Sequence, residues 1–214
     1  METVLQRRSR NLIRCLRVKH LEITPGFIAA LCVLGLLNQR GMVWTFLAAT
    51  AAHETGHLIA LRLFGTEILA FRLDMLDAQI VSAPLGYRQE LCAALAGPAM
   101  SIVCCLMFRR RFAAFAAVSL LQGLFNLLPI WPLDGGRALR AALGLRVSLV
   151  RSERICRITG GIVCAAGLLG AMVCAGKFGL GIGPVLVWCT VLLRLAWYGQ
   201  EERLDSQVRV RYNI

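Results

Sequence analysis

Two of the three histidines in the chain fall within five consecutive residues, His53-Glu54-Thr55-Gly56-His57. On an α-helix a spacing of four returns side chains to one face about 6 Å apart, so both imidazoles can reach one metal ion while Glu54 faces the water such an ion holds. That is the arrangement of zinc-dependent peptide hydrolysis. A tetrahedral catalytic site needs a third protein ligand and keeps its fourth position open. Asp134 is the candidate, because the remaining histidine, His20, lies in the N-terminal segment and Asp134 is the other acidic residue associated with an apolar span of the core. It stands in Pro132-Leu133-Asp134-Gly135-Gly136, a run dense in helix breakers that reads as a helix-ending turn. Unwound backbone at membrane depth is tolerated where it lines a polar cavity, so the same break can carry a carboxylate to a metal. A charge within an apolar span costs roughly 2.5–3.5 kcal/mol, so Glu54 and Asp134 each require partners. Histidines buried only as hydrogen-bonded neighbours would not need a carboxylate between them.

These side chains must be held by elements lying in lipid. Of the 214 residues 57% are apolar and 17% charged, with a mean hydropathy of +0.65. Soluble domains are about half apolar and about a quarter charged, so a single soluble domain is excluded. Windows able to cross about 30 Å of hydrocarbon place spans at 25–37, 42–64, 91–108, 112–131, 158–176 and 182–198. The first is short and reads as one arm of a helical hairpin broken at Asn38-Gln39-Arg40-Gly41. The expected fold is therefore an all-α membrane protein with six transmembrane helices. One membrane domain, 25–198, lies between a basic amphipathic tail, 1–24, and a short tail, 199–214. The basic tail is followed by no small-residue cleavage site, so it is expected to be retained. Between the second and third spans Phe71, Leu73 and Met75 alternate with Arg72 and Asp74, and Ile80-Val81 follow Asp77-Ala78. That pattern predicts a short β-hairpin at the membrane face.

The net charge of +12 comes from 24 basic and 12 acidic residues and sits in the loops. Anionic lipid headgroups are the partners this implies, and nucleic acid is not. With the N-terminus in the cytoplasm, eighteen basic residues fall on the cytoplasmic side against five opposite. Both termini of this multi-pass cell-membrane protein are thus expected in the cytoplasm. Arg109-Arg110-Arg111 runs against the rule and is read as a tight turn at the headgroups. The nine cysteines show no Cys-x-x-Cys pair and read as reduced, small hydrophobes. Gly160, Gly161, Gly167 and Gly170 permit close helix packing within the chain or between copies, so an oligomer is compatible with the sequence.

Three segments together resemble the site-2 proteases, membrane-embedded zinc metalloproteases: His53–His57, Ala96-Gly97-Pro98, and Asn126-Leu127-Leu128-Pro129-Ile130-Trp131-Pro132-Leu133-Asp134-Gly135-Gly136-Arg137. The likeness is greatest to sporulation members of that family and extends over the six-span layout. It implies a core of three helices, spans two to four, and one zinc ion per chain held by His53, His57 and Asp134. Glu54 would be the catalytic base. Asn126 would match the asparagine that steadies the developing oxyanion, although the residue reads equally as one capping a break. The substrate implied is a membrane-associated protein such as the pro-form of a sporulation sigma factor, with membrane inhibitor or activator proteins as further partners. An extended substrate could be held by strand addition in the 68–82 region. Neither the PDZ nor the nucleotide-sensing CBS domain of several bacterial members is expected here. Two other classes use the same residues: a membrane metal-binding or transport protein, and a catalytically silent scaffold. Transport would show repeated ligands or an inverted repeat, and Glu54 is superfluous to a scaffold.

Overall fold

The structure, a computed structural model, describes residues 20–25, 28, 32, 35, 41–74, 77–178 and 185–193. It divides into two compact units, Met1–Asn126 and Leu127–Ile214.

The first unit contains strand β1 (His20–Ile23), helix α1 (Met42–Leu63), strands β2 (Ile68–Asp74) and β3 (Asp77–Ser82), and helices α2 (Tyr87–Phe108) and α3 (Ala113–Asn126). Helix α1 opens after Gly41 and closes before Gly65, both at positive φ. At its end Thr66 N–H donates to Leu61 O at 3.1 Å and Gly65 N–H to Arg62 O at 3.0 Å. This satisfies the carbonyls a helix terminus leaves open, through a left-handed residue that glycine adopts without strain. The buried residues of α1 are Ala49, His53, Gly56, His57, Ala60 and Leu61, a spacing of three and four that lies on one face. Ala93, Ala94, Gly97, Pro98, Ser101 and Cys104 of α2 and Ala116, Ser119 and Gly123 of α3 are likewise buried. Small side chains let the backbones approach closely, as membrane helix contacts require. A Cβ on Gly56 would strike Ala96 O of α2, and one on Gly123 would lie 2.8 Å from Ser101 Cβ. Gln122 Nε2 donates to Thr50 Oγ1 at 3.2 Å, tying α3 to α1.

The sheet has the order β1-β2-β3. Strands β2 and β3 are the antiparallel pair that alternation predicted, in register from Ile68↔Ser82 to Asp74↔Asp77 with an irregularity between Ile68 and Ala70. Strand β1 adds to β2 in parallel, His20↔Ala70 to Ile23↔Leu73. Four residues of the segment read as a basic tail are thus a strand, because a short parallel strand needs only a partner edge and carries no turn signal. Ile80 and Leu85 pack with Phe64 and Ala96 on Ala60, Leu61 and Ala93, seating β3 and the approach to α2 on the ends of α1 and α2.

The second unit contains α4 (Asp134–Gly144) and α5 (Leu149–Phe178), followed by a helical stretch at 185–193. A Cβ on Gly167 would collide with the Trp188 ring, so the bare backbone of α5 receives that indole.

The chain is mostly helical, and among the described residues two helices are long and apolar enough to cross a membrane, Tyr87–Phe108 and Leu149–Lys177. At about 1.5 Å per residue the 22 residues of α2 reach about 33 Å. The expected span 25–37 lies largely outside the described residues, as do the ends of 182–198 and the tail from 199. The apolar run 112–131 is helical only to Asn126, since Pro129 and Pro132 disfavour helix in the residues before them. Helix α5 begins at Leu149 rather than near 158, because its Arg-rich first turns are too polar for a membrane window yet good helix formers. The turn at Asp134 does not end a helix but starts one.

Candidate metal centre

The histidine pair belongs wholly to the first unit. His53 and His57 are 2% and 7% exposed, so their imidazoles lack bulk water as a partner. Their Nε2 atoms face each other at 3.3 Å. Each ring is held from behind by α2: His57 Nδ1 lies 2.8 Å from Ala93 O, and His53 Nδ1 lies 2.9 Å from Ser101 Oγ. A carbonyl only accepts, so His57 carries its proton on Nδ1 and its Nε2 is an acceptor. The Ser101 hydroxyl can accept from or donate to His53 Nδ1, and where it accepts, the His53 Nε2 is an acceptor too. Pro98 has no N–H to return to Ala94 and its ring loosens the preceding turn of α2, where Ala93 O takes the side-chain donor.

With both Nε2 atoms as acceptors, one metal ion could be held by the two together. Ligands at Zn–N about 2.05 Å and a tetrahedral angle stand about 3.3 Å apart, the separation the two nitrogens have here. The donor set therefore fits a zinc ion. Gly97 stands directly over the pair: a Cβ there would collide with His57 Nε2 and come within 2.7 Å of His53 Nε2. The α2 backbone leaves the space in front of the nitrogens to a ligand.

Asp134 belongs to the second unit. It is 7% exposed and opens α4, the end of a helix where negative charge is favoured. Arg137, one turn on, places Nη1 3.7 Å from Asp134 Oδ1. The preceding loop folds back over the helix start. A Cβ on Gly135 would strike Leu127 O, and one on Gly136 would lie 2.5 Å from Ile130 O. Within the loop Leu133 N–H donates to Ile130 O at 2.8 Å, Ile130 is fully buried, and the Trp131-Pro132 peptide is cis.

Glu54 is half-buried on α1 beside His53, and Asn126 is the half-buried last residue of α3. Ser101 and the Ala93 carbonyl orient the two imidazoles without having stood out in the sequence. The available signal was a hydroxyl on an apolar helix four positions beyond Gly97.

Peptidase family M50 matches residues 107–169. A zinc metalloprotease of Methanocaldococcus jannaschii is 25% identical over 147 residues, 60% of this chain and 43% of that protein. The chain thus spans less than half the length of that curated relative. The fold is similar to the solved site-2 protease from Methanocaldococcus jannaschii, with a TM-score of 0.60 and 23% identity over 83% of this chain and 89% of that one. Motif, matched segment and fold thus liken this chain to peptidase family M50 over residues 107–169 and, in fold, to a solved site-2 protease.

Proposed function

We propose that the protein is an intramembrane zinc metalloprotease that hydrolyses a peptide bond of a membrane-associated protein near the cytoplasmic face. The observation carrying this is the pair of histidines, each backed by α2, whose Nε2 atoms stand 3.3 Å apart, the separation two zinc ligands require. Asp134, the buried carboxylate that opens α4, is the third ligand in this reading, as the sequence pattern supplies it. Bound there, zinc supplies Lewis acidity, activating water and polarising a carbonyl. Glu54 takes the proton of the attacking water and returns it to the leaving amine. Ser101 and Ala93 O hold the imidazoles in the tautomer that presents Nε2. Asn126 donates to the developing oxyanion.

The chain crosses the cell membrane six times with both termini in the cytoplasm, its basic loops against anionic headgroups, and its substrate is the pro-form of a transcription regulator such as a sporulation sigma factor. Among the described residues β2 is paired on both sides, so an extended substrate would add to an outer edge of β1 or β3. The test is cleavage of a co-expressed membrane-anchored substrate by wild type and by Glu54→Gln. The variant should keep its zinc and lose cleavage. Equal cleavage by both refutes the mechanism, and a wild-type preparation without zinc refutes the ligand set.

A further inference from the structure

Arg140, on the second turn of α4, joins three pieces of the second unit. Its guanidinium lies over the Trp131 ring, 4.9 Å from the centroid, and Nη2 donates to Glu153 Oε1 of α5 at 3.3 Å. Its own carbonyl accepts from Ser152 Oγ at 3.1 Å, and Ser152 is fully buried. Trp131 is three residues ahead of Asp134, in the loop that folds over the start of α4, and its backbone nitrogen would lie 2.5 Å from a Cβ on Gly136. Leu133 supplies no side-chain cap to that helix start. What fixes the entry of α4 is therefore the packing of the loop, to which the Trp131 indole contributes beside buried Ile130 and the Leu133 N–H···Ile130 O bond.

We propose that Arg140 is a positioning residue for the metal centre. Stacked on Trp131 and anchored to α5 through Glu153, it clamps the Pro129–Leu133 loop and thereby sets the direction in which Asp134 presents its carboxylate. A planar guanidinium suits this task because it stacks by its face while its edge donates, which an ammonium cannot do at once. The proposal rests on Asp134 being a zinc ligand.

The experiment measures zinc affinity of the full-length protein in detergent by chelator competition, with the visible spectrum of the cobalt-substituted protein as a second readout. Variants are Asp134→Ala, Trp131→Leu, Arg140→Ala, Arg140→Glu, and the pair Arg140→Glu with Glu153→Arg. Trp131→Leu and Arg140→Ala should each weaken zinc roughly tenfold, as loss of groups that orient ligands does, and alter the cobalt bands. Combined, they should cost little more than either alone, because they remove one contact. The charge-reversed pair should regain the thermal midpoint lost in Arg140→Glu but not the zinc affinity, since a carboxylate is repelled by the indole face. Wild-type zinc affinity in Trp131→Leu and Arg140→Ala, with zinc lost in Asp134→Ala, overturns the clamp and leaves the ligand set standing. Recovery of zinc affinity by the charge-reversed pair overturns it as well. Unchanged zinc in Asp134→Ala overturns the ligand assignment itself.

Discussion

At the residue scale, the metal centre depends on what stands behind and above two imidazoles. Gly97→Ala should abolish zinc binding, at least about a 100-fold loss where removing an outer partner costs 10–100-fold, because its methyl occupies the space of the ligand atoms. Metal content of the purified variant checks this. Ser101→Ala leaves His53 Nδ1 without that partner and should weaken zinc roughly tenfold to 100-fold while sparing the fold; Ser101→Thr, which keeps the hydroxyl, should restore most of it in the same chelator competition. The pairing of His53 and His57 was legible in the sequence because a spacing of four on a helix has one geometric meaning. Their supports were not: Ala93 and Ser101 lie 36 and 48 positions from their histidines, and the pairing exists only once α1 and α2 pack. A main-chain carbonyl, moreover, leaves no mark on residue type.

Elements were legible where hydropathy and geometry coincide. The interior of α2, the β2–β3 pair and the apolar part of α5 follow from apolar length and alternation. The start of α5 at Leu149 and the strand β1 do not, because charged residues continue a helix as readily as apolar ones and four residues carry too little pattern. The break was legible only from Pro132 on, while Leu127–Trp131 read as the end of an apolar span, and the role of this stretch as the lead-in to α4 depends on Gly135 and Gly136 accepting the loop backbone. The α1–α2 seam yields a test at this scale. Alanine at Gly56 gains about 1 kcal/mol of helix propensity, whereas overpacking costs about 1–3 kcal/mol. The obstacle is the Ala96 carbonyl, which cannot rotate away. We expect Gly56→Ala to lower the thermal midpoint, and Thr55→Ala, on the exposed face of the same helix, to leave it near wild type.

At the scale of the whole molecule, the proposed ligand set predicts that zinc protects the loop that leads into Asp134. Zinc removal by a chelator should raise protease susceptibility of the loop at residues 127–133 in wild type but not in His53→Ala/His57→Ala, a comparison read by limited proteolysis. The parallel ladder between β1 and β2 carries a consequence in terms of parity. Strands in one sheet are about 4.8 Å apart, so Ile23 and Leu73 share one side of any bilayer. The chain between them must then cross an even number of times, and a bilayer-spanning α1 obliges a second crossing ahead of it. Cysteines placed at Gly41 and at Ser82 should accordingly react with an impermeant thiol reagent from opposite sides of the cell membrane. Labelling of both from the same side would show that α1 stays on one face, however well its length suits a span. Four strand residues outside the metal centre thereby constrain the topology of a segment whose hydropathy alone leaves its crossing undecided.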